Sequence, residues 1–238
     1  MNISLQILIL LSSVAIGGIL VEIFKKQSRL KLLLSFSGGY LLTIIFTHIL
    51  PETYEFLGQS TGYFILGGFL LQLVLEYFSK GAEHGHTHVH HLNKTFPTII
   101  LISLAIHSFI EAIPLVETHS GHHHFQNEPN QNLLWGIFLH KIPVAVALMT
   151  IFKAANVKRY IAWIGLLIFG ITAPLGLLTG SYLSASYGFD SNWILAVAIG
   201  MFLHISTTII FESNEGHKLN LMKFIAILFG FGLGILVN

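Results

Sequence analysis

The chain has no cysteine and very little charge. The first absence excludes disulfides and thiolate metal sites, so any metal here is held by imidazole, carboxylate, hydroxyl or water. It also leaves the redox compartment undetermined. Charged residues make up 10% of the 238 and hydrophobic residues 53%, with a mean hydropathy of +0.74; a soluble domain carries roughly 25% charged residues. The composition is that of an all-α polytopic membrane protein. A net charge of +1 with no long basic run gives no reason to expect a nucleic-acid partner.

What is present is a series of eight apolar runs, each long enough or nearly so to cross about 30 Å of hydrocarbon at about 20 residues per crossing. They are Leu5–Phe24, Leu32–Leu50, Thr61–Phe78, Phe96–Val116, Asn132–Phe152, Tyr160–Tyr182, Trp193–Phe211 and Leu219–Val237. We read residues 1–238 as one transmembrane domain. The first run lacks a basic leader and a cleavage site, so it is expected to be a retained helix. Lys25, Lys26, Arg29 and Lys31, then Lys80 and Lys94, then Lys153, Lys158 and Arg159, then Lys218 and Lys223 all fall on one side of an eight-helix arrangement. The opposite connections, Pro51–Ser60, Glu117–Gln131 and Leu183–Asn192, hold no lysine or arginine. Basic residues concentrate in cytoplasmic loops, which places both termini outside. Without an evident targeting peptide, a bacterial inner membrane is the simpler expectation. Of the six prolines, Pro51, Pro97 and Pro129 mark helix ends, while Pro114, Pro143 and Pro174 fall within runs and are expected to bend them.

Fourteen histidines outnumber lysine and arginine together. Nine stand in two tracts: His84, His86, His88, His90 and His91 in the cytoplasmic loop 81–94, and His119, His122, His123 and His124 in the external loop 117–131. Such tracts bind metals through flexible imidazoles. Others are more telling because they lie in apolar sequence. LAIHSFIEAIPLV sets His107 and Glu111 four residues apart on one helix face with Ser108 beside them, and an ionisable pair in hydrocarbon marks a functional site. FLHKIPVAVAL sets His140 beside Lys141. Counted at about 1.5 Å per residue, His107 and His140 reach the same depth. Two nitrogen donors and one carboxylate leave an exchangeable position on a divalent cation, completed by Ser108 or water, as a transported ion requires. Lys141 is expected to neutralise Glu111 without metal, or to stand where a second cation would. His48 and His204 are read either as pathway positions for the metal or as hydrogen-bonding links between helices. Gly39–Glu52 and Gly200–Glu212 are alike in pattern and cross in opposite directions, which hints at an inverted repeat of helices one to three and six to eight.

These residues resemble the ZIP (Zrt/Irt-like) family of divalent metal transporters. FSGGYLLTIIFTHILPE is similar to its second helix, HSFIEA to its fourth-helix His-Ser/Asn-x-x-Glu motif and HKIP to its fifth. The resemblance implies a 3+2+3 bundle with helices four and five enclosed by the repeats, and it places His107, Glu111 and His140 on primary-site ligands and Ser108 on a residue that lines a second site. Two-metal members carry acids where this chain has Lys141, Val144 and Ala173. The second metal is therefore expected to be absent, with Lys141 as its surrogate.

The reading that follows is a carrier, not an enzyme. It imports zinc, with iron or manganese as less favoured cargo, into the cytoplasm by alternating access. The metal is substrate, with no organic cofactor; the partners are divalent ions and membrane lipid, with a homodimer left open. Two alternatives stand beside it: an intramembrane zinc-dependent hydrolase with Glu111 as base, disfavoured by the lack of an HExxH motif, and a non-transporting metal sensor.

Overall fold

Hydrocarbon offers the backbone no hydrogen-bond partners, so apolar runs satisfy their amides internally as helices. The computed structural model describes residues 1–23, 28–81, 96–116, 129–212 and 220–236. Helix α1 spans Ile3–Ile23, α2 spans Ser28–Ile44 and α3 spans Leu50–Leu57. Next come α4 (Ser60–Ser79), α5 (Phe96–Ala112), α6 (Pro129–Ala154), α7 (Arg159–Tyr187), α8 (Asn192–Glu212) and α9 (Leu221–Leu236). A π-helical turn at Ile45–Ile49 joins α2 to α3, so the two form one crossing. Among the described residues seven segments are long and apolar enough to span a membrane, and α9 adds a shorter apolar helix of 16 residues. Large apolar side chains such as Leu66, Leu167 and Phe229 face outward, as on an integral multi-pass membrane protein.

Three expectations are corrected. The second crossing does not end at Leu50: it continues through Pro51 to Leu57, because the proline falls in the first turn of α3, where no amide donor is needed. Pro51–Ser60 is thus almost entirely helix. The sixth crossing likewise runs on to Tyr187, and Gly188 ends it in the left-handed region at φ 61°. Pro114 does not kink a continuing helix; α5 ends at Ala112 and Pro114 lies in a 3₁₀ turn, Ile113–Leu115. Pro143 and Pro174 do lie inside α6 and α7.

The helices sort into two groups of four by their most extensive contacts. In the first, α1 packs on α6 and α5 on α7; in the second, α2 packs on α9 and α4 on α8. Exchanging crossing one with six, two with seven, three with eight and four with five converts each pairing into its companion. That is the relation an inverted repeat generates. Glycines show why the second group packs so closely. A Cβ on Gly68 would strike the Val197 carbonyl, and one on Gly200 the Ile65 carbonyl, so α4 and α8 meet backbone to backbone. The equivalent contact between α2 and α9 uses Gly39 against Ile227 and Gly230 against Phe36. Gly39 and Gly200, the first residues of the two similar stretches, do the same work in opposite directions.

Candidate metal centre

The ionisable residues of the membrane interior meet where the two groups face each other. His107, Ser108 and Glu111 come from α5, and His140 and Lys141 from α6; none is more than 1% exposed. The i, i+4 spacing brings His107 Nε2 to 3.1 Å from Glu111 Oε2. Lys141 reaches across from α6, donating from Nζ to Glu111 Oε1 and, at 2.6 Å, to Ser108 Oγ. Its ammonium also lies 5.2 Å from the centroid of the Phe169 ring, on the ring face that favours a cation. Snorkelling is thereby replaced by internal pairing: the carboxylate and ammonium compensate each other where either alone would be costly.

The imidazoles of His107 and His140 stand edge to face, with centroids 6.1 Å apart. Phe202 of α8 covers both, at 6.3 Å and 6.5 Å. Among the described residues no three histidine or acidic groups converge as a ready-made metal cage. The donors are adjacent, with Lys141 where a cation would balance Glu111.

Sequence reasoning missed two members of this cluster. Gln72 of α4 is fully buried, and its Oε1 lies 2.9 Å from His107 Nδ1. The Oγ1 of Thr172 on α7 lies 2.9 Å from Ser108 Oγ and accepts from it. The signal for Gln72 was a lone amide in LLQLVLE, four residues before Glu76, on one helix face. Thr172 carries no such signal, since its hydroxyl donates to the Phe169 carbonyl at 2.6 Å, an ordinary way to satisfy a membrane threonine.

The remaining histidines are placed apart. His204 of α8 lies 2.5 Å from Glu76 of α4 through Nε2, with Phe69 edge to face at 4.8 Å. Glu76 is one helical turn from Gln72, towards the basic end of the helices, so this pair borders the central cluster. His48 lies in the π turn, half buried, with Nδ1 2.9 Å from Thr47 Oγ1. Among the described residues its hydrogen bond is to the neighbouring threonine and does not reach the cluster. His84, His86, His88, His90, His91, His119, His122, His123 and His124 lie outside the described residues, as do the loops that contain them.

Comparison with known proteins bears on the chemistry such a cluster serves. A search of the curated proteins found no match. A family model described as ZIP zinc transporter matches residues 81–238, more than half of the chain, including every ionisable member of the cluster. Helices α1, α2, α3 and α4 precede the match, yet α1 and α2 pack into the groups with α6 and α9, and α4 supplies Gln72. Membrane-length helices enclosing a buried His, Glu and Lys cluster and the match to this family agree: the chain belongs to the ZIP zinc transporter family.

Proposed function

We propose that the protein carries Zn²⁺ into the cytoplasm by alternating access, with His107, Glu111 and His140 as ligands and Ser108 or water completing the shell. The observation that carries this reading is the convergence of four ionisable side chains from α5 and α6, fully buried between two helix groups. Two imidazoles and a carboxylate favour zinc over manganese, and iron remains a weaker competitor. A carrier must also return empty. Lys141 supports that step, because its ammonium keeps the vacated Glu111 carboxylate compensated. An arriving cation displaces Lys141 from Glu111 and draws the two imidazoles together.

Import is the direction that the basic loops and the paired histidine tracts favour. The external tract raises the local metal concentration and the cytoplasmic tract receives the ion. His204 with Glu76 is the way-station on the cytoplasmic side, and His48 lies towards the external end.

The test is uptake of radiolabelled Zn²⁺ into proteoliposomes by wild type and by His107→Ala, Glu111→Ala and His140→Ala. Saturable uptake by wild type, lost in all three folded variants, is the expected result. Binding without accumulation above empty liposomes would overturn transport in favour of a sensor or a hydrolase.

A further inference from the structure

Gln72 is the odd residue of α4. Leu70, Leu73 and Val74 around it are about half exposed to the surroundings of the protein, whereas Gln72 is turned fully inward. A primary amide buried at membrane depth is costly unless its polar atoms are engaged. Its carbonyl oxygen is engaged by one particular atom, the Nδ1 of His107, at 2.9 Å. A carbonyl only accepts, so this contact assigns the proton of the neutral ring to Nδ1. With a cation bound, the lone pair is then on Nε2, the nitrogen that faces Glu111 at 3.1 Å. This is the tautomer and ring orientation needed for Nε2 and Glu111 to bind one cation. Histidines that hold metals almost always donate their other N–H to such an acceptor, which fixes the ring and raises its basicity.

The location of the amide adds a second consequence. His107, Ser108, Glu111, His140, Lys141 and Thr172 all belong to α5, α6 and α7, in the first helix group. Gln72 belongs to α4, which is locked onto α8 in the second group through Gly68 and Gly200. The Gln72 to His107 hydrogen bond therefore crosses between the two bodies whose relative movement would open the site. It is also short-ranged: a displacement of about 1 Å takes it beyond hydrogen-bond distance.

We propose that Gln72 is a positioning residue for the cation site, and that through it the alignment of the two helix groups sets the affinity of His107 for its ion. In the alignment seen here His107 is held with Nε2 turned to Glu111, so the site binds tightly. Movement of one group past the other withdraws the carbonyl, the ring loses its orienting partner, and the ion is held more weakly when the path to the far side opens. The proposal rests on the reading of His107 as a cation ligand.

The experiment uses full-length protein, measuring Zn²⁺ affinity by competition with a chromophoric chelator in detergent, and KM and maximal rate of Zn²⁺ uptake in proteoliposomes. Gln72→Leu is expected to weaken binding by about 10- to 100-fold and to raise KM in proportion, with the maximal rate not reduced. Gln72→Glu, which presents an acceptor at the same reach, is expected to restore binding. In a His107→Ala background Gln72→Leu is expected to change nothing further, an outcome that a packing role would not give. If Gln72→Leu does not yield folded protein, Gln72→Asn takes its place, since it withdraws the carbonyl by one methylene. Affinity within about twofold of wild type in the folded variant, or an undiminished loss in the His107→Ala background, would overturn the proposal. Wild type that accumulates no Zn²⁺ would sink the transport reading, whereas wild type that transports with a Gln72-insensitive affinity would sink this inference alone.

Discussion

Two histidine–glutamate pairs stand among the described helices, and they are satisfied in different ways. His107 and Glu111 share α5, are about 1% exposed, and have an ammonium inserted beside them. His204 and Glu76 meet across α8 and α4, and the Glu76 side chain is 23% exposed. The difference follows from depth. A carboxylate near the end of α4 is within reach of water, which screens its charge. A carboxylate in the middle of the bundle needs a full positive charge, and the fold supplies it from Lys141. On the proposed reading, a metal enters the deep pair only by an exchange of cations.

The largest effect on this contrast is expected from Glu111→Gln. It leaves the Lys141 ammonium buried without its carboxylate, a loss of roughly 3–5 kcal/mol, and should abolish uptake. Adding Lys141→Met should restore the melting temperature while uptake stays absent; thermal unfolding in detergent and liposome uptake read the two separately. Lys141→Met alone removes the competitor for Glu111. Zn²⁺ affinity should rise by about tenfold, in the range of ordinary coupling free energies, while the maximal uptake rate falls because the empty carboxylate no longer has its counter-charge. The smallest effect is expected at the shallow pair. Glu76→Gln should cost no more than about 1 kcal/mol of stability and leave Zn²⁺ affinity at the central site within about twofold, while slowing uptake. A Glu76→Gln variant that lost central binding would show that the two pairs are one site.

Much of this arrangement was legible before any coordinates. Hydropathy alone places the crossings, because about 20 apolar residues have few other uses, and depth counting along the fourth and fifth runs puts His107 and His140 at one level. The ends were less legible. Hydropathy registers the hydrocarbon layer and stops there, whereas PETYEFL and LSASY continue α3 and α7 as helix beyond it. The π turn at Ile45–Ile49 has no counterpart in composition, since its register shift depends on packing. Gln72, despite its spacing from Glu76, and Thr172 were passed over for another reason. Both are uncharged, both have innocent explanations in a membrane helix, and only the meeting of α4, α5 and α7 shows that they converge on His107 and Ser108.

The bond between Lys141 and Glu111 has a consequence for the ions that are not carried. A tethered ammonium competes for the carboxylate at an effective concentration set by its leash, which for short tethers is in the millimolar range or far above when the geometry is fixed. A free sodium or potassium ion brings the same single charge and must shed its water to enter. It gains no advantage over the resident cation. A divalent ion that also recruits two imidazoles does. If Glu111 holds the cargo as proposed, Lys141 acts as a built-in blank: it sets the reference against which every entering ion is judged, and it excludes the abundant monovalent ions without any filter built for them.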